Sequence, residues 1–257
     1  MAALTSSTRR TAASKRVKAK LRVAVIGDLL YSALRIARSL TSATGRSVVW
    51  TRLLHGNALH QTATTTAPDR YPELFAGLAE RLPGDARILS FGCSTGEELA
   101  ALRRLMPAAR LTGVEINARC RRIATRRMAG DSRVTFAAAL PDGPFDAVLA
   151  LAVLQREPHR VEREGIADLG EIYPFARFDE AIGVLVDRLA PGGLLAVHYA
   201  QYRVEDSRVA AGLEAVAGTP PLMPPLFDRN SRRYAAAPPA ASLFVKCATI
   251  AAPSSNS

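Results

Sequence analysis

The sequence predicts an α/β fold in which a mostly parallel sheet is doubly wound, with helices on both faces. Three observations carry this. From Asp69 onward, short β-rich runs alternate with helix-length patterns. The first of those runs enters a helix through a turn of small residues, FGCSTGEELAAL. A chain of 257 residues with 48% hydrophobic side chains also has room for one large buried core.

Residues 1–20 are rich in Ser, Thr, Ala, Lys and Arg and are expected to be mobile. VAVIGDLLYSALRIARSL then sets Ile26, Leu30, Ala33, Leu34, Ala37 and Leu40 at helical spacing, with Arg35 and Arg38 off the stripe. This reads as a helix that packs on the main domain or lies on an anionic surface. Residues 55–67 read as a polar linker; His55 and His60 there lack the Cys or carboxylate company of a metal site. Residues 1–68 hold eleven basic side chains and one acid, whereas the rest of the chain is nearly neutral. The boundary expected from composition therefore separates a basic arm, 1–68, from a domain, 69–257. The arm suits an anionic membrane surface, and nucleic acid is an unlikely partner for the neutral domain. Three scattered cysteines and no 18-residue apolar run give the expectation of a cytoplasmic chain, peripheral to a membrane at most.

In the domain, DRYPELFAGLAERL predicts a helix capped near Asp69 and stopped by Pro83-Gly84. ARILSFG, RLTGVEI, RVTFAAA, FDAVLALAV and GLLAVHYAQY predict strands. EELAALRRLM, ARCRRIATRRMA and FDEAIGVLVDRLA predict the helices between them. SRVAAGLEAVAG predicts a further helix and SLFVKCATI a last strand.

Gly92, Ser94 and Gly96 have the spacing at which small residues let a backbone approach a ligand, and the following helix start supplies free N–H groups. That helix opens with Glu97-Glu98, which would repel a pyrophosphate and tolerate a sulfonium with its ammonium group. Glu115 closes the second strand 19 residues after Gly96, the spacing of an acid that binds ribose hydroxyls.

ARILSFGCSTGEELAAL, LTGVEINARC, GPFDAVLALAVLQ and LAPGGLLAVHY, in that order, resemble the successive motifs of class I S-adenosylmethionine-dependent methyltransferases. The resemblance covers about residues 70–250. It implies a seven-stranded Rossmann-like sheet with a reversed last strand, and S-adenosylmethionine as the cofactor. By position it also implies that Gly92, Cys93, Ser94 and Gly96 line the methionine part, Glu115 holds the ribose, Ile116 packs on adenine, and Leu151 lies near the substrate mouth. Two positions depart from the family. The acid expected after the third strand is absent, Asp142 being nearest, and Gln155 stands where many small-molecule enzymes keep a histidine.

Methyl transfer needs a base only when the acceptor must lose a proton. His198, at the end of the fifth strand, is the expected base for an oxygen acceptor on a small molecule, sugar or lipid-linked intermediate. Gln155, His159, Tyr199 and Tyr202 are expected around the acceptor, with His159 in a long lid-like segment. No metal is expected. Two other readings stay open. CSTGEE is similar to the loop of chemotaxis-receptor glutamate methyltransferases, which methylate a protein carboxylate, and an inactive cofactor-binding scaffold would carry the same loop.

Overall fold

The computed structural model describes residues 41–55, 60, 70–218 and 226–248. Contacts divide the chain into two compact units, residues 1–53 and 54–257. In the first, the described part is helix α1 (Ala43–His55), which carries an exposed Trp50 and runs across the division. The helix expected over 23–40 lies outside the described residues.

The second unit contains α2 (Pro72–Arg81), α3 (Glu97–Leu105), α4 (Ala118–Arg127), α5 (Pro158–Arg163) and α6 (Phe175–Asp187). Its seven strands are β1 (Arg87–Phe91), β2 (Arg110–Val114), β3 (Val134–Ala137), β4 (Phe145–Leu151), β5 (Leu189–His198), β6 (Leu213–Ala215) and β7 (Leu243–Lys246). They run in the order β3-β2-β1-β4-β5-β7-β6. The first five are parallel, and β7 enters antiparallel between β5 and β6. The doubly wound sheet and its reversed last strand are therefore as expected.

Period-two alternation divides the core between the two faces. Ile88, Leu111 and Leu149 pack under Leu74, Phe75 and Leu78 of α2 and Leu99 and Leu102 of α3. Leu89, Val148 and Val197 face Phe178, Ile182 and Leu185 of α6. Central β4 is buried along nearly its whole length, which explains its unbroken apolar run. Local chemistry sets the helix ends. Pro72 opens α2, Glu97 and Glu98 sit in the first turn of α3, and Arg103 and Arg104 in its last. The Asn117 side chain caps α4 by accepting from the N–H groups of Arg119 and Cys120.

The helix expected over 207–218 is absent. Its residues form a tight turn at Ala210–Gly212 and then β6, which pairs with β7 through Leu213, Glu214 and Ala215. Pairing with a distant strand overrides the helical propensity of this alanine-rich stretch.

Candidate active site

The strand order reverses between β1 and β4, and ligands of open α/β sheets bind at the carboxyl ends beside such a switch. There the loop after β1 takes left-handed conformations at Gly92 (φ 78°), Ser94 (φ 49°) and Gly96 (φ 86°). A β-carbon on Gly92 would fall 2.5 Å from Val153, and one on Gly96 3.0 Å from Ala124 of α4. Both glycines thus serve the turn and its packing. The Glu115 carboxylate, at the end of β2, ties the loop to the sheet. It accepts from the Ser94 N–H at 2.9 Å and the Asn117 N–H at 2.7 Å. Each oxygen keeps a second lone pair for a ligand. Burial pushes this carboxyl up, opposed by the two N–H donors and by Arg121.

On the α2/α3 face, the two acids at the start of α3 have different fates. Glu97 accepts from Thr95 and from Arg127, each at 2.7 Å. Glu98 turns towards the sheet and accepts from the Ser90 hydroxyl of β1 at 2.9 Å. Burial pushes its carboxyl up to about 7, against the pull of Ser90 and Arg70. Beside it, Tyr71 is only 4% exposed, and its hydroxyl has no hydrogen-bond partner among the described residues. Its ring meets His198 edge-on with centroids 5.4 Å apart, and the Arg70 guanidinium lies over the rings of Tyr71 and Tyr199 at 5.3 and 5.7 Å. Burial, reinforced by Glu98, raises the Tyr71 pKa and keeps the hydroxyl protonated.

On the α6 face, His60 Nδ1 lies 2.7 Å from the Tyr173 hydroxyl, and its ring stands edge-on to Phe91, the last residue of β1. Burial lowers this histidine to about 4, and the charges of Arg177 and Arg156 push the same way. Arg177 also lies 5.8 Å from the Tyr173 ring centre. Gln201 grips the backbone of Arg156 from both sides, accepting its N–H at 2.7 Å and donating to its carbonyl at 3.1 Å.

The methyltransferase domain family matches this chain over residues 63–222, more than half its length. The chain belongs to that family. An uncharacterized protein of Synechococcus sp. is 31% identical over 137 residues, covering 49% of this chain. The match spans only 28% of that curated relative's length. Among solved structures, the sugar N-methyltransferase KedS8 from Streptoalloteichus sp. is 24% identical, over 51% of this chain and 47% of its own, with a TM-score of 0.36. The S-adenosylmethionine-bound aminopentose methyltransferase CalS10 from Micromonospora echinaspora is 24% identical, over 52% of each chain, also at 0.36.

S-adenosylmethionine is the cofactor of these class I methyltransferases, and the donor set fits it. Glu115 offers carboxylate lone pairs at the position expected to meet ribose hydroxyls, and the Tyr71 hydroxyl, unpartnered among the described residues, with Glu98 and Arg70 suits a zwitterionic methionine end. The electrostatic argument against a pyrophosphate narrows, since Arg127 already offsets Glu97 and burial favours the neutral form of Glu98.

The structure places the other methyltransferase residues unevenly. Ile116 is half-buried beside Glu115. Leu151 ends β4 with its side chain in the α2/α3 core, and Cys93 points its thiol inward against Gly113, so both reach the loop region by backbone alone. Asp142 is exposed and pairs with Arg188 near the start of β4. Four of the residues expected on the acceptor side are placed as follows. Tyr202 is fully buried; its hydroxyl donates to the Tyr173 carbonyl and lies 2.9 Å from the Ser231 hydroxyl, so it is part of the framework. Gln155 turns back to donate to the Ala152 carbonyl, and His159 sits exposed on α5. His198 is 8% exposed, with Nδ1 3.0 Å from the Ser242 hydroxyl and Tyr71 across its face; it is packed in rather than facing an open pocket. Tyr199 stays half-exposed at the strand end, in the left-handed region (φ 53°). A cleft of about 690 Å³ lies at the opposite edge of the sheet, lined by Asp85, Arg87, Arg110 and Arg133. Sequence reasoning missed Tyr71, Glu98 as a buried acid, and His60 with Tyr173. The one available signal was Tyr71 immediately before a helix-opening proline.

Proposed function

We propose that this chain transfers a methyl group from S-adenosylmethionine to an oxygen of a small molecule, sugar or lipid-linked acceptor. The observation that carries the reading is the Ser94–Glu115–Asn117 clamp, which presents a carboxylate at the switch point beside the small-residue loop. Bound there, the cofactor supplies a methyl group already activated by its sulfonium. The work left to the chain is holding and aligning, which alone is worth about 7–11 kcal/mol of a barrier. Glu115 holds the ribose hydroxyls and Ile116 covers the base. Glu98 takes the ammonium, while Arg70 and the Tyr71 hydroxyl take the carboxylate. Tyr199 borders the acceptor, and His198 positions Tyr71 from beneath. The reading includes a cytoplasmic location, with the basic arm of residues 1–68 resting on an anionic membrane surface. Among the described residues no helix is long and apolar enough to cross a membrane.

Calorimetric titration with S-adenosylhomocysteine tests the reading. Micromolar binding that falls at least about tenfold in Glu115→Ala is expected, a loss of about 1.4 kcal/mol. Folded wild-type protein that binds none would overturn it. Binding without product from any acceptor would indicate a scaffold instead.

A further inference from the structure

The amino ends of β1, β2 and β3 carry an arginine each, and the three stand in a row. Arg87 pairs in register with Arg110, and Leu111 with Val134, which sets Arg133 beside Arg110. Alternation fixes the side of the sheet they occupy. Leu89 and Val114, two and four positions on from Arg87 and Arg110, pack towards α6, whereas Val134 and Phe136 next to Arg133 pack towards α2 and α3. All three arginines therefore belong to the α6 side. There the link from β3 to β4, residues 138–144, carries no helix, and the sheet stays open near its edge. The Thr112 and Thr135 hydroxyls meet on it at 3.3 Å in an exposed contact. The cleft of about 690 Å³ lies here, lined by the three arginines, both threonines, Ser132 and one carboxylate, Asp85. Nearby acids are engaged: Asp146 accepts the Arg87 N–H at 2.7 Å, and Asp131 holds Arg103 at 2.6 Å and the Arg133 N–H at 3.0 Å. Arg87 lies over the Phe145 ring, and Arg133 spends one donor on the Ala108 carbonyl. The Arg110 guanidinium has no partner among the described residues.

We propose that this cleft is a second ligand site, which binds the diphosphate ester of a small hydroxylated molecule through Arg87, Arg110 and Arg133. Three guanidiniums against one carboxylate leave a surplus of two positive charges, which a diphosphate neutralises. Adjacent strands stand about 4.8 Å apart, so the row spans about 10 Å. Guanidinium forks match phosphate oxygens two at a time, and a single carboxylate could satisfy only one of the three. Whichever threonine donates in the Thr112–Thr135 contact, the hydrogen of the other is left for a ligand oxygen. No aromatic side chain lines the cleft, so it lacks the stacking platform that a single-stranded nucleic acid uses. The same strands β1 and β2 carry the Gly92–Gly96 turn and Glu115 at their other ends. The site is thus separate from the methyl-transfer edge, and the inference does not depend on that reading.

The test is a calorimetric titration of the full chain with inorganic pyrophosphate, repeated with inorganic phosphate. Pyrophosphate should bind one to one, and phosphate at least about tenfold more weakly. Arg110→Gln should weaken pyrophosphate binding by about tenfold or more, and the backbone amide NMR signals of Thr112 and Thr135 should shift on titration of the wild type. Arg229→Gln removes the same charge from the exposed Asp228–Ser231 turn and should leave the affinity unchanged. Folded wild type that binds no pyrophosphate, or binds phosphate equally well, overturns the proposal. So does an equal loss in Arg229→Gln, which would reduce the effect to diffuse charge. Arg110-dependent binding of polyglutamate or of a single-stranded oligonucleotide, with none of pyrophosphate, overturns it in favour of a macromolecular partner. S-adenosylhomocysteine affinity should be the same in Arg110→Gln as in wild type. Its absence from both, with pyrophosphate still bound, would remove the methyltransferase reading alone.

Discussion

The two faces of the sheet meet the same edge with opposite electrostatics. Towards α2 and α3, burial forces a proton onto an acid: Glu98 is pushed up to about 7 beside a tyrosine whose hydroxyl is unmet. Towards α6, burial strips a proton from a base, and His60 falls to about 4 under two guanidiniums. On each face burial favours the neutral form of the group. The two faces thus hold an acid and a base each away from its ordinary protonation, in opposite senses.

The contrast has a consequence for stability that can be broken open by single substitutions. Between pH 4.5 and 7 the folded chain keeps a proton on Glu98 that the unfolded chain has released. Stability from this group is full below pH 4.5 and is lost as pH rises through 7. Between pH 6.5 and 4 the folded chain refuses a proton on His60 that the unfolded chain takes up. Stability from that group is full above 6.5 and is lost as pH falls through 4. Over the shared window the two imbalances cancel. Glu98→Gln should expose the histidine, so that ligand-free stability in urea climbs by about 3 kcal/mol from pH 4 to 6.5 relative to wild type. His60→Gln should expose the acid and give a fall of about 3 kcal/mol from pH 4.5 to 7. Profiles that stay parallel to wild type would remove the comparison altogether.

A smaller effect should separate the faces. Tyr202→Phe leaves the Tyr173 carbonyl and the Ser231 hydroxyl without their shared partner, at a cost of about 1–2 kcal/mol. The His60 titration should shift towards its ordinary value, whereas the acid slope exposed by His60→Gln should be the same with or without this change. The smallest effect belongs to Tyr71→Phe. Removing a hydroxyl that is already unsatisfied should change thermal stability by less than about 1 kcal/mol, or raise it slightly. S-adenosylhomocysteine affinity should nevertheless drop several-fold. A large loss of stability with unchanged affinity would make Tyr71 a packing residue.

The difference between the faces also marks what the sequence could tell. β1, the Gly92–Gly96 turn, α3 and Glu115 are contiguous or nearly so, and their chemistry follows from residue type and spacing. β4 and β5 were legible because strands buried on both faces leave long apolar runs. β6 was not, because Leu213–Ala215 becomes a strand only when Leu243–Lys246 lies beside it. The same holds for side chains. Nothing local to Tyr202 says that its hydroxyl reaches Tyr173 and Ser231, 29 positions away in each direction. His60 and Tyr173 are 113 residues apart and are joined only when β1 and α6 come together. His198 was correctly placed at a strand end, but its exposure depends on Tyr71, which belongs to a different element. Spacing can show which residues share an edge; what covers them is a property of the assembled core.

The insertion of β7 between β5 and β6 ties the sheet to the order in which the chain is made. During synthesis β5 is complete by His198, yet its neighbour emerges more than forty residues later. Until Leu243–Lys246 leaves the ribosome, β5 presents an open edge, β6 has no partner, and His198 lacks the Ser242 hydroxyl. A nascent chain stalled in that interval has all five parallel strands and a raw hydrophobic border beside them. Chaperone binding to ribosome-held chains should therefore peak across this stretch and fall once β7 is released.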